Sequence, residues 1–67
     1  MEDKRIDLLR RLQGDMSLDA FAASIDVARS TISMIYLGKR APGRQFLEKL
    51  LIAFPEHRDE IIDVFLP

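Results

Sequence analysis

Residues 21–42 read FAASIDVARSTISMIYLGKRAP and contain two apolar stripes at helical spacing. The first stripe begins at Phe21 and the second ends with Ile35. The three residues between them, 26–28, are too few for a strand, and Asp26 is one of the few residue types besides glycine that tolerates a positive φ angle. We therefore expect two short helices joined by a tight turn.

Similar patterns predict the helices on either side of this pair. A first apolar stripe stops at Gly14, and Ser17 is placed to cap the second helix at its N-terminus. The third helix stops at Gly38, the fourth is broken at Pro55, and a fifth covers about residues 56–66. No alternating strand pattern is present, so we predict an all-α fold of five short helices.

The length and composition of the chain limit its class. Its 67 residues are enough for one small domain, 1–67, and the absence of cysteine removes disulfides as a source of stability. The longest apolar run, residues 50–54, is far shorter than the roughly 20 residues of a membrane-spanning helix. We expect a soluble cytoplasmic domain with no membrane association.

Charge is distributed unevenly along the chain. The formal net charge is −1, but residues 29–49 hold five basic residues and one acidic residue. The flanking segments, 1–28 and 50–67, are both net acidic. A basic segment of this kind is either a solvated surface or the contact region for an anionic partner.

The order of helix, three-residue turn, helix and basic loop resembles the Xre/Cro family of lambda-repressor-like DNA-binding domains, over about residues 5–55. The positions that carry the resemblance are Ala22, where the helices cross, Val27 in the turn, Ile32 and Ile35 in the third helix, and then Gly38, Lys39, Arg40 and Pro42. The resemblance implies a five-helix fold with the helix-turn-helix motif at residues 17–37.

The resemblance also implies that the third helix lies in the major groove of double-stranded DNA. The expected base contacts are Arg29, Ser30, Ser33 and Met34, of which arginine suits guanine and methionine suits a thymine methyl group. The expected contacts to the DNA backbone are Thr31, Lys39, Arg40 and Arg44. The alternative is that these side chains are an ordinary solvated surface, and Lys49 is expected to be solvated in either case.

Four positions depart from the family pattern. Leu18 stands where many members have a glutamine that bonds the DNA backbone, and Ala28 stands where a serine or threonine usually caps the recognition helix. Asp26 replaces the commoner turn glycine and adds negative charge near the DNA-facing side. Arg11 lacks its usual acidic partner because Tyr36 occupies that position, so Arg11 stacks on Tyr36 or points to solvent or phosphate.

The C-terminal third holds more apolar side chains than one small core requires. A predicted dimer interface consists of Phe46, Ile52, Ile61, Ile62, Val64, Phe65 and Leu66. The last helix either closes the domain or forms a self-complementary patch, and we favour a homodimer. Two-fold symmetry would then match a pseudo-palindromic operator with half-sites about 34–36 Å apart.

These features favour a transcriptional regulator of phage or bacterial type, a Cro-like repressor that binds its operator as a dimer. The alternative is a protein-interaction module on the same fold, such as an antirepressor, an antitoxin or a phage-encoded inhibitor. Residues 1–67 as a fragment of a longer repressor also remain an alternative. Because no nucleophile, metal-ligand or nucleotide-binding motif occurs in the sequence, we expect no enzymatic activity, cofactor or metal.

Overall fold

The computed structural model describes residues 3–66, which form five α-helices and no strand. The helices are α1 (Lys4–Gln13), α2 (Leu18–Ser24), α3 (Arg29–Tyr36), α4 (Arg44–Ala53) and α5 (Arg58–Phe65). This architecture confirms the predicted all-α fold of five short helices. The ends of the predicted 1–67 domain, residues 1, 2 and 67, lie outside the described residues.

Side chains cap the first two helices but not the third. The Asp3 carboxylate accepts a hydrogen bond from the Arg5 N–H at 2.9 Å, and the Ser17 hydroxyl accepts one from the Ala20 N–H at 3.0 Å. The prediction that Ser17 caps α2 is therefore confirmed. At Ala28 no side-chain hydrogen bond caps α3, as the sequence indicated, so this helix start depends on tertiary contacts for its stability.

The connection between α4 and α5 contains an extra turn. Pro55–His57 forms a single 3₁₀ turn, and the His57 N–H donates to the Phe54 carbonyl at 3.0 Å. The fifth helix therefore begins at Arg58 and not at residue 56, because the 3₁₀ turn occupies residues 55–57. Pro55 itself accounts for the end of α4, since proline has no N–H to continue the α-helical hydrogen bonds.

The core is apolar and draws on every helix. Its buried members are Leu8, Leu9, Phe21, Ala22, Ile25, Ile32, Ile35, Phe46, Leu47, Leu50 and Ile61. Two of these correct the predicted dimer interface: the exposed fraction is 6% for Phe46 and zero for Ile61. Phe46 lies on the inner side of α4, and Ile61 lies where α5 packs on α1 and α4, so the core of a single chain already covers both side chains.

Candidate nucleic-acid interface

The turn between α2 and α3 sets the position of the helix expected to contact DNA. Asp26 adopts a φ angle of 59°, the left-handed conformation predicted for it, and the Val27 N–H donates to the Ala22 carbonyl at 3.0 Å. Val27 is partly buried against the core. The turn therefore fixes the angle between the two helices through both its backbone and its apolar side chain.

Lys49 reaches this turn from α4. Its ammonium group donates a hydrogen bond to the Asp26 carbonyl at 2.7 Å and lies 3.6 Å from the Asp26 carboxylate. The expectation that Lys49 is merely solvated is therefore wrong. Lysine at this position stabilises a strained turn residue and offsets the negative charge that Asp26 brings close to α3.

The outward face of α3 is small and weakly polar. At about 100° per residue, Ser30, Ser33, Met34 and Leu37 fall on the side of the helix opposite to Ile32 and Ile35. The exposed fraction is 39% for Met34 and 64% for Leu37, whereas Ser33 is only partly exposed. Of the four predicted base-contact residues, Ser30, Ser33 and Met34 thus lie together on this face, and Arg29 lies in the first turn of α3.

Arg29 begins α3 and is already paired in the free chain. Its Nε lies 3.4 Å from the Asp19 carboxylate, which belongs to the first turn of α2, and both side chains are largely exposed. Exposed pairs of this kind contribute only about 0–1 kcal/mol. Arg29 is therefore held in one orientation by a contact weak enough to exchange for another partner.

A cleft of about 430 Å³ separates the start of α3 from the start of α4. Ala28 and Thr31 line it on one side, and Arg40, Gly43 and Arg44 line it on the other. No side chain caps either helix start at this cleft. Backbone N–H groups at helix starts together with guanidinium groups favour a bound anion.

Three of the four predicted backbone-contact residues, Thr31, Arg40 and Arg44, line this cleft, and the fourth, Lys39, precedes Arg40 in the chain. Thr31 is half-buried in its wall, and Lys39 and Arg40 are exposed on the loop that follows α3. Arg44 lies 3.4 Å from the Glu48 carboxylate, but its side chain is 91% exposed. Because so exposed an ion pair contributes little stability, Arg44 can reorient towards a phosphate at small cost.

Tyr36 connects the inner side of α3 to α1. Its hydroxyl donates to the Gln13 side-chain oxygen at 2.8 Å, and the Arg10 guanidinium lies 4.7 Å from the centre of its ring. Burial raises the pKa of Tyr36 above its ordinary value of 10.0, and the charge of Arg10 opposes that rise. These contacts of Tyr36 with Gln13 and Arg10, called here the α1–α3 seam, hold the inner side of α3 against α1.

The structure corrects the expectation for Arg11. Arg10, and not Arg11, stacks on Tyr36, while the Arg11 guanidinium lies 2.8 Å from the Glu60 carboxylate on α5. Helical spacing separates the two arginines by about 100° around α1, so only one of them can face α3. The sequence alone could not predict that Arg11 pairs with Glu60, because this pairing depends on how α5 packs against α1.

The remaining dimer candidates differ in exposure. The exposed fraction is 80% for Ile52 and 57% for Leu66, so both are surface residues. Ile62, Val64 and Phe65 are half-buried, and the last two pack against the core. The apolar side chains of this set that are left exposed for a second copy are therefore Ile52, on α4, and Leu66, after α5.

Comparison with known proteins assigns a family to this arrangement. A helix-turn-helix family model matches residues 8–61, which is most of the chain. The chain belongs to this family, a class of DNA-binding regulators, and the resemblance to Xre/Cro-like domains is confirmed. No curated protein and no solved structure gives a significant match.

Two further findings concern other classes of site. None of the helices in residues 3–66 is long and apolar enough to cross a membrane. Within the same residues, no group of three or more His, Asp or Glu side chains could hold a metal ion.

Proposed function

We propose that the chain is a sequence-specific transcriptional regulator, a Cro-like repressor that occupies a pseudo-palindromic operator as a dimer. The observation that carries the proposal is the position of the outward face of α3 beside a cleft lined by Arg40 and Arg44. An exposed recognition helix next to an anion-binding cleft offers base contacts and phosphate contacts on one surface.

In this proposal the outward face of α3 contacts base edges. Arg29 leaves Asp19 and forms a bidentate hydrogen bond to guanine O6 and N7. Ser30 and Ser33 bond base edges, and Met34 packs on a thymine methyl group. Arg29 is the only charged residue of α3, so specificity rests on few side chains.

Contacts to the DNA backbone come from the cleft and its loop. Arg40 and Arg44 bind phosphates across the cleft, Lys39 binds a phosphate from the loop, and Thr31 donates its hydroxyl from the cleft wall. The uncapped starts of α3 and α4 add backbone N–H donors. These contacts fix the register of the protein on the duplex without reading the sequence.

The structure constrains the proposed dimer less than it constrains the proposed DNA contacts. A single domain, 1–67, would use its closing helix, predicted at 56–66 and observed as α5 (Arg58–Phe65), with Ile62, Val64 and Phe65 at the margin of the contact. The most exposed apolar contacts would be Ile52, on α4, and Leu66, which follows α5. The two copies of α3 would then lie about 34–36 Å apart, one turn of DNA. Light scattering on the purified chain measures this oligomeric state directly.

The first experiment measures binding of the purified chain to random-sequence duplex DNA by fluorescence anisotropy across a salt series. The affinity should fall steeply with salt, with a slope of about −0.9 for each phosphate neutralised. Arg40→Ala and Arg44→Ala should each reduce that slope by about 1. The matched control is Arg58→Ala, an exposed arginine on α5, which should leave the slope unchanged.

A protein-interaction module on the same fold is the second candidate function. The net charge of −1 and the exposed side chains of Ile52 and Leu66 favour a protein partner over a polyanion. Absence of duplex binding at the lowest salt would contradict the repressor proposal and support this second candidate.

A further inference from the structure

The most exposed large apolar side chain of α3 and its cap has no role in the function proposed so far. Leu37 follows the last turn of α3 and is 64% exposed, and it continues the stripe formed by Ser30, Ser33 and Met34. Its φ and ψ angles of −81° and −2° are ordinary helical values that most residue types adopt. The backbone therefore does not require leucine at this position.

Met34 and Leu37 form an apolar pair one helical turn apart. Residues at i and i+3 lie on the same side of a helix, separated by about 4.5 Å along its axis. After Gly38, the pair is followed by the basic residues Lys39 and Arg40. A surface that is apolar at its centre and cationic at its edge matches the DNA major groove, whose floor carries methyl groups and whose walls carry phosphates.

The dimensions of an α-helix allow the outward face of α3 to approach the groove floor. A helix with its side chains is about 10–12 Å across, which matches the roughly 12 Å width of the major groove. The spacing of Met34 and Leu37 spans one or two base-pair steps of about 3.4 Å. The only apolar group that an unmodified base pair presents there is the thymine C5-methyl group.

We infer that Leu37 is a specificity-determining residue that, with Met34, selects thymine methyl groups at one or two base pairs facing the C-terminal end of α3. The inference rests on the proposed function, because it assumes that α3 enters the major groove. It adds that the half-site is thymine-rich on the side remote from the Arg29 contact. Serine, the other residue type on this face, can hydrogen-bond to several types of base and therefore distinguishes between base pairs less well.

The test begins with selection of a preferred operator from a randomised duplex by the complete chain. Each thymine of that operator is then replaced singly by uracil, which keeps the O4 acceptor and lacks only the methyl group. We expect about a fourfold loss of affinity at one or two positions, the value of one buried methyl group. Leu37→Ala should abolish this uracil sensitivity at one of them, and Met34→Ala should reduce it.

Two controls make the test specific. Leu37→Met, which keeps an apolar side chain of similar reach, should retain sensitivity to uracil, and Arg58→Ala should retain it as well. Uracil tolerance at every position of a tightly bound operator would overturn the inference, together with the thymine-methyl contact proposed for Met34, and would leave the proposed DNA-binding function of α3 intact. Sensitivity that persists in both alanine variants would assign methyl recognition to other residues. Failure to bind any duplex would overturn the proposed function and this inference with it.

Discussion

The two faces of α3 differ in burial: the inner face packs against the rest of the chain, and the outer face is exposed to solvent. On the inner face, Ile32 and Ile35 are buried and Tyr36 is bonded to Gln13 on α1. On the outer face, Met34 and Leu37 are 39% and 64% exposed. The nine residues 29–37, which are α3 and its cap, therefore serve folding on one side and leave the other side free for recognition. Substitutions on the two faces should separate stability from binding.

Truncation of a side chain on the inner face of α3 should have the largest effect, which is a loss of folding stability. Ile32→Ala removes a side chain with zero exposed area from the centre of the core. We expect the free energy of unfolding to fall by about 2–5 kcal/mol, a large part of the stability of a domain this small. Urea denaturation followed by circular dichroism measures the loss. A cost below about 1 kcal/mol would mean that the inner face of α3 is not firmly packed.

Truncation at the start of the outer face should act on binding alone. Arg29→Ala removes a side chain that is 65% exposed, so stability should change by less than about 0.5 kcal/mol. Operator affinity should fall by about 1–3 kcal/mol, and selection at one base pair should relax. Selection of operators by the wild-type chain and the variant measures both effects, with Arg58→Ala as the control. Unchanged affinity would remove Arg29 from the proposed base contacts.

The seam between α3 and α1 should give an intermediate effect on stability. Tyr36→Phe keeps the ring beneath Arg10 but removes the hydrogen bond to Gln13. A loss of about 0.5–1.5 kcal/mol in the free energy of unfolding is expected. Thermal or urea denaturation of the variant, compared with Gln13→Leu and the double variant, isolates the bond itself.

The same tyrosine predicts a pH dependence. Because burial raises the pKa of Tyr36 above 10.0, its contribution to stability is complete below about pH 10 and is lost as the pH rises through the folded-state pKa. Urea denaturation between pH 8 and 11 should show this decline, and Tyr36→Phe should remove that part of it. An identical decline in the variant would assign the alkaline loss to other groups.

The local features of this fold could be predicted from the sequence. The Ser17 cap follows from the ability of a serine hydroxyl to accept a hydrogen bond from a backbone N–H at a helix start. The left-handed Asp26 and the end of α3 at Gly38 follow from the backbone preferences of those residue types. The inward position of Ile32 and Ile35 follows from helical periodicity. These features depend on neighbours within about one turn, which the sequence displays directly.

Contacts between distant segments could not be predicted in the same way. Lys49 bonds to Asp26 across 23 residues, and Arg11 pairs with Glu60 across the α1–α5 contact. A count of apolar residues places Phe46 on a dimer surface, because such a count cannot show how much core one chain encloses; in the folded chain Phe46 is buried. The choice between Arg10 and Arg11 over Tyr36 required the orientation of α1 relative to α3.

The smallest expected effect concerns the contact that spans α2 and α3 at the DNA-facing surface. Asp19→Asn removes the carboxylate that lies 3.4 Å from Arg29 Nε and leaves a side chain of the same shape. The stability should hardly change, because so exposed a pair contributes little. We expect the affinity of the chain for its operator to rise about two- to fivefold at low salt. Arg29 then no longer has to leave Asp19 before it binds DNA, and a negative charge near the DNA is removed. A fall in affinity would show instead that Asp19 orients Arg29 for its base contact, and the outer face of α3 would then be preorganised from α2.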